Sequence, residues 1–194
     1  MMTKCRHHDI RVFDGVRCCL ACGESIFEQI LADPVPGSMG PVPYSYKRLN
    51  YELGQEIRLM VLYPGQDGDD LICNIVQVNL TDRPQYEALS YTWATEDGDC
   101  SLSEAVFCQG TSISITSNCH AALRCIRYRH RSRLLWIDAV CINQKDVSEK
   151  NHQVNLMSTV YSEASQVLAF IGPTSQGTDT VSYTHLTLPT ILRV

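Results

Sequence analysis

Two groups of residues in this chain have the types and spacing to do chemistry. The first is near the amino terminus, where Cys5, His7, His8, Cys18, Cys19 and Cys22 crowd together. Cys5-x2-His8 and Cys19-x2-Cys22 make two short pairs of the soft and borderline ligands that tetrahedral zinc requires. The Asp14-Gly15 pair between them supplies a turn to fold one pair onto the other. Cys5, His8, Cys19 and Cys22 are therefore expected to hold one Zn2+. His7 beside His8, and Cys18 beside Cys19, are alternatives that spacing does not separate. The competing reading is a reduced, cysteine-rich segment without metal. The second group centres on Asp138, a carboxylate at the carboxyl end of the apolar run Leu134–Ile137. In open α/β sheets that edge is where ligands bind. Cys141 lies close by, but no His/Asp partner pattern supports a nucleophile, and a buried thiol is the expectation.

The elements that must position Asp138 are legible around it. Asp146, with Glu149 three residues on, has the spacing of a capping pair for a helix. Val154, Met157, Val160, Tyr161 and Ala164 then recur at helical spacing as an apolar stripe. Val167–Ile171, closed by Gly172-Pro173, reads as a second buried strand. Strand, helix and strand make a βαβ unit with parallel strands. Upstream, IRLMVLYPG from Ile57 and LICNIVQVNL over Leu71–Leu80 are two strands around the hairpin turn GQDGDD. The acids of that turn read as a solvated loop and not as a calcium site.

Tyr86–Tyr91 (YEALSY) is a third strand, and Val106–Cys108 with Ile113–Ile115 form a short β pair around Gln109-Gly110. Ser117 is the expected N-cap of a helix running to about Tyr128, with Cys119, Ala122, Leu123 and Ile126 on one face. Arg124, Arg127, Arg129, Arg131 and Arg133 follow. They read as a solvated helix end, favourable for cations, with an anionic-ligand site as the alternative. Ser25–Ala32 is a candidate short helix, and the Pro/Gly-rich stretch after it reads as linker.

A chain of 194 residues with 44% hydrophobic residues suffices for one good core and a small appendage. Its net charge of −5 disfavours a general nucleic-acid binder. No apolar run approaches the roughly 18 to 20 residues that span a bilayer. The amino terminus has no apolar segment of a secretory signal. Without one, the ten cysteines are expected to stay thiols or to bind metal, in a cytoplasmic protein.

Three ordered motifs resemble a known family. They are Tyr86-Glu-Ala-Leu-Ser-Tyr-Thr-Trp93; Leu135-Trp-Ile-Asp-Ala-Val-Cys-Ile-Asn-Gln144; and Glu149-Lys, Gln153-Val, Met157, Val160-Tyr161, Ala164 and Ile171-Gly172. Together they resemble the fungal heterokaryon incompatibility (HET) domain, over residues 56 to 173. Ala94 departs from the family's usual Gly after the Trp, which would restrict the backbone if that position needs a positive φ. The resemblance implies a TIR-like, flavodoxin-like parallel α/β sheet, here with an added β-hairpin and a preceding zinc-knuckle-like segment. In that fold Ser90 and Trp93 at one strand end would share a crevice with Asp138, and with Asn143 and Gln144 on the adjoining loop. Asp138 could bind a ribose hydroxyl or cap backbone amides, and Trp93 could stack on a base or close the core.

The expected organisation is a Cys/His-rich knuckle over 1–32, a linker over 33–55, a HET domain over 56–177 and a non-native-looking tail over 178–194. The tail's SYTHLTLPT core resembles translated adapter sequence. A sheet with three parallel strands is small for this fold, so its last strands and helices are expected to be missing. The resemblance implies fungal non-self recognition and programmed cell death signalling, through protein partners or self-association; the apolar runs and the net charge add that no membrane partner is expected and that nucleic acid is disfavoured. The alternative is a TIR-like enzyme that cleaves NAD, and its catalytic acid would lie on a helix after Gly172. The sequence supplies no convincing acid there, so NAD is unsupported, and fold analogy is a weak warrant for catalysis.

Overall fold

The computed structural model describes residues 10–13, 16–19, 25–26, 42–51, 55–172 and 183–186. In the amino-terminal part, strands β1 (Ile10–Phe13), β2 (Val16–Cys19) and β3 (Ser25–Ile26) form a small antiparallel sheet. Phe13 pairs with Val16 in the antiparallel β1–β2 ladder, and Asp14-Gly15, read from sequence as the turn, lies outside the described residues. Ser25 and Ile26, read from sequence as the start of a helix, are instead a strand paired to Arg17 and Cys18.

The main body is a mixed α/β unit. Its strands are β4 (Val42–Pro43), β5 (Glu56–Leu62), β6 (Ile72–Asn79), β7 (Glu87–Tyr91), β8 (Glu104–Cys108), β9 (Thr111–Ile115), β10 (Arg133–Trp136), β11 (Gln166–Phe170) and β12 (Tyr183–Leu186). They line up in the order β12-β11-β7-β10-β5-β6-β8-β9-β4. The three strands read from the motif-bearing segments stand together and parallel, with β7 between β10 and β11. The sheet as a whole is mixed, not parallel as expected. The β5–β6 hairpin joins antiparallel to β10, and β12 joins antiparallel to β11. Local patterning carries no information on which edge a hairpin will choose, because both strands of this one are almost wholly buried. The β12 strand lies inside the stretch read as a non-native-looking tail.

Among the described residues three α-helices connect the strands: α1 (Ser117–Ile126), α2 (Asp138–Cys141) and α3 (Val147–Glu163). The α1 cap is Thr116, one residue before the expected Ser117, and its hydroxyl accepts from the Cys119 amide. The face of α1 is as expected, with Cys119, Ala122, Leu123 and Ile126 buried. The β8–β9 turn has positive φ at both Gln109 (49°) and Gly110 (78°), the geometry of the tightest hairpins. Arg83 is the other non-glycine with positive φ among the described residues, so Ala94 sits on ordinary backbone without strain.

One apolar core runs through the sheet, with Leu59, Met60, Val61, Val76, Leu135, Trp136 and Val160 fully buried. Residues 42–51, inside the stretch read as linker, lie against this body: the Tyr44 amide bonds the Ser112 carbonyl at 2.8 Å, and Leu49 is buried. Among the described residues no helix is long and apolar enough to cross a membrane.

Candidate functional site

The site grows from the carboxyl ends of β7 and β10. After Trp136 the chain turns into α2, and Asp138 becomes its first residue and not a strand terminus. Its two carboxylate oxygens are both used: Trp93 Nε1 donates to Oδ2 at 2.8 Å, and the Ala139 amide donates to Oδ1 at 2.7 Å. Gln144 folds back so that its Nε2 donates to the Asp138 carbonyl at 2.7 Å. Trp93, Asp138 and Gln144 are thus brought into one hydrogen-bonded cluster. Trp93 spends its indole N–H on the carboxylate, and its ring packs against the core.

The other two expected residues sit at the margin. Ser90 is exposed on β7, and its hydroxyl faces Tyr161 of α3, whose phenol donates to the Leu89 carbonyl at 3.3 Å. Asn143 uses its Oδ1 to accept from the Lys145 amide at 3.2 Å, a local turn bond, and its own amide points the other way, to Glu149.

Electrostatics here are set by burial. Burial lifts the Asp138 carboxyl above the usual carboxylate range, more than the Trp93 and Ala139 bonds lower it. Its neighbours all hold their protons tightly. Burial pushes the Cys119 thiol, the Cys141 thiol and the Tyr161 phenol each up to about 12. Tyr91 is raised further, by burial and by the nearby Cys119 and Asp138; its buried hydroxyl makes no hydrogen bond of regular geometry. Cys141 is the inert buried thiol expected, its sulfur turned back on the Ile137 amide at 3.4 Å.

Behind the cluster lies an ion pair that sequence reasoning missed. Arg58 of β5 and Glu149 of α3 are both nearly inaccessible, at 1% and 3% side-chain exposure. Arg58 Nη1 donates to Glu149 Oε1 and to the Cys141 carbonyl at 3.2 Å. Its Nη2 donates to Glu149 Oε2 at 3.0 Å and to the Lys47 carbonyl. Glu149 Oε1 also accepts from the Asn143 amide at 2.6 Å. Asp146 does cap α3, accepting from the Glu149 amide at 3.1 Å, as its spacing promised. Glu149 does not return the favour as a capping box would, because its carboxylate is drawn to Arg58. The buried stripe of α3 is Glu149, Gln153 and Val160, flanked by Leu156, Met157, Tyr161 and Ala164; Val154, placed in the stripe from sequence, is 49% exposed. The signal available in sequence was an arginine inside the otherwise apolar IRLMVL run, which demands a buried anionic partner.

Of the expected zinc ligands, Cys19 is buried at the end of β2; Cys5, His8 and Cys22, with the alternative His7, lie outside the described residues. Among the described residues no group of three or more His, Cys, Asp or Glu side chains is placed to hold a metal ion.

The geometry defines an α/β domain whose acid and indole meet at the carboxyl edge of a parallel strand trio. The comparisons give it a family. The model of the heterokaryon incompatibility protein (HET) family matches residues 86–189, and the chain belongs to this family. That match begins at the Tyr86 motif and runs on past the Gly172 at which the resemblance in the motifs ends. The chain is similar to heterokaryon incompatibility protein 6, OR allele, of Neurospora crassa, with 39% identity over 128 residues. The alignment covers 60% of this chain and 19% of that relative, so the chain spans about one fifth of its length. No solved structure matches the chain.

Proposed function

We propose that this chain carries the signalling domain of a heterokaryon incompatibility protein, acting in the cytoplasm in fungal non-self recognition and programmed cell death. The observation that carries this reading is the family match over 86–189, joined to the likeness to a Neurospora incompatibility protein. Ser90, Trp93, Asp138, Asn143 and Gln144 form the recognition edge in this proposal, and the signal passes by protein contact or self-association. The order β10-β7-β11, second strand, first strand, third strand, is compatible with a TIR-like, flavodoxin-like core. The NAD-cleaving alternative is not favoured. The acid it needs would follow Gly172, and residues 173–182 lie outside the described residues.

The test is inducible expression of the chain in a filamentous fungus, scored by hyphal growth and a viability dye. Arrest and death on induction are expected. Normal growth with the folded chain accumulating would overturn the reading. For the amino-terminal segment we keep the proposal of one Zn2+ on Cys5, His8, Cys19 and Cys22. The antiparallel pairing of β1 with β2, which lie between the two ligand pairs in sequence, supports it by doubling the chain back on itself. Metal analysis should find about one zinc per chain, lost in Cys22→Ser; protein purified without zinc would remove it.

A further inference from the structure

The segment 42–51 makes contacts that a tether would not. Its Tyr46 hydroxyl donates to the Val140 carbonyl of α2 at 3.0 Å, and its ring lies under the Arg58 guanidinium, 4.9 Å from centroid to Cζ. Its Lys47 carbonyl takes one of the Nη hydrogens of Arg58. The half-buried Gln77 side chain of β6 also holds the segment, donating to the Lys47 carbonyl at 3.3 Å and the Arg48 carbonyl at 3.0 Å.

The two Nη groups of Arg58 have four hydrogens, and the acceptors are four: two Glu149 oxygens, the Cys141 carbonyl and the Lys47 carbonyl. Its Nε has no partner, so the guanidinium has no spare acceptor to fall back on. A buried cation that loses an acceptor must shift or admit water. Besides the segment and Glu149 of α3, what the Arg58 and Tyr46 side chains hydrogen-bond lies between Asp138 and Asn143: the Val140 and Cys141 carbonyls directly, with the Asn143 amide joined through Glu149. That loop carries Asp138 and runs directly into Gln144.

We propose that residues 42–51 are a clasp on the Trp93–Asp138–Gln144 cluster, with Tyr46, Arg58 and Glu149 as its positioning residues, so that release of the segment loosens the cluster. This rests on that cluster being the functional edge. The segment is also the covalent link between the Cys/His-rich part and the sheet. A change in that part therefore has a mechanical route to Asp138.

The experiment follows the Trp93 indole N–H by nitrogen–proton correlation in the full chain. The chain has two tryptophans, and Trp136→Phe assigns the signals. The groups facing Asp138 are Tyr91 of β7, Trp93, Cys119 of α1, Cys141 of α2 and Tyr161 of α3. The thiols and phenols among them stay protonated through neutral pH, so among the groups facing it Asp138 is the one whose titration the Trp93 signal reports. Tyr46→Phe removes one hydroxyl. It is expected to shift the Trp93 resonance and lower its pH midpoint, because water reaching Asp138 relieves the burial that raises it. Gln77→Ala, which removes a half-buried side chain and leaves the Arg58–Glu149 pair intact, loosens the clasp from β6 and should move both readings the same way by less. Tyr128→Phe, on the opposite edge of the sheet, should move neither. A folded Tyr46→Phe or Gln77→Ala chain whose Trp93 shift and midpoint equal the parent's would overturn the proposal, even if its melting temperature fell. Failure of the functional reading would appear in the hyphal assay instead, with these Trp93 readings unaltered.

Discussion

The two ends of the parallel strand trio are both rich in charge, yet they use it in opposite ways. At the amino edge the arginines, apart from buried Arg133, are half-buried or exposed, and two of them spend themselves on loop carbonyls. Arg127 donates to the carbonyls of Gln66, Asp69 and Asp70, and Arg124 to that of Asp69, tying down the β5–β6 turn. Arg129 meets Asp67 at 3.6 Å with both side chains in water, and Arg131 lies over the Tyr128 ring. Arg133 is the deepest, paired to Glu87. At the carboxyl edge one acid, Asp138, is held by an indole, and one buried pair, Arg58–Glu149, braces its loop. Many charges in water do structural work weakly; a few charges out of water fix one geometry. The five-arginine cluster, conspicuous in sequence, is the less telling of the two.

The comparison can be broken most forcefully at the brace. Glu149→Ala leaves Arg58 buried without its anion and should cost about 3–5 kcal/mol, a large fraction of the roughly 5–15 kcal/mol that holds an ordinary domain folded. Urea denaturation would measure it, and a loss under about 1 kcal/mol would mean that Arg58 reaches water when its partner goes.

Asp138→Asn is the intermediate case. Asparagine offers one carbonyl where Asp138 has two acceptors, so either Trp93 or the Ala139 amide loses its partner, at about 1–3 kcal/mol. The sign of its pH dependence follows from burial. The Asp138 carboxyl is raised in the folded state, so the fold holds that proton more tightly than the unfolded chain. Stability from this group is present at low pH and is lost as pH rises from about 4 through the raised value. The stability deficit of Asp138→Asn should therefore shrink as pH rises through that window, in melts across a pH series. A deficit that grows would mean that the fold favours the charged carboxylate, its hydrogen bonds outweighing burial.

At the small end, Arg129→Ala should change stability by less than about 0.5 kcal/mol, and raising the salt should erase even that. A larger loss would mean that the amino edge is braced as tightly as the carboxyl edge.

How much of this was legible in sequence follows the range of each interaction. The β7, β10 and β11 strands, the α1 face and the Asp146 cap are local patterns, and each stands within a residue or two of its expected place. The Trp93–Asp138 pairing was reachable only by laying the motifs on a family fold. The mixed sheet was not legible, since nothing in IRLMVLYPG says that it will flank β10 antiparallel. Arg58 and Glu149 are 91 positions apart, and each had a plausible local role, strand polar residue and capping acid, that hid the pair. Val154 was placed in the stripe because apolar spacing favoured it, while the helix buried Glu149 and Gln153 to satisfy Arg58 and the Glu56 carbonyl.

The central claim is that the carboxyl edge signals and the amino edge only supports. The direct test induces Asp138→Asn and Arg127→Ala chains in hyphae at matched levels of folded protein. Arg127→Ala should arrest growth like the parent, and Asp138→Asn should not. Equal killing by both, or equal loss from both, would contradict the account.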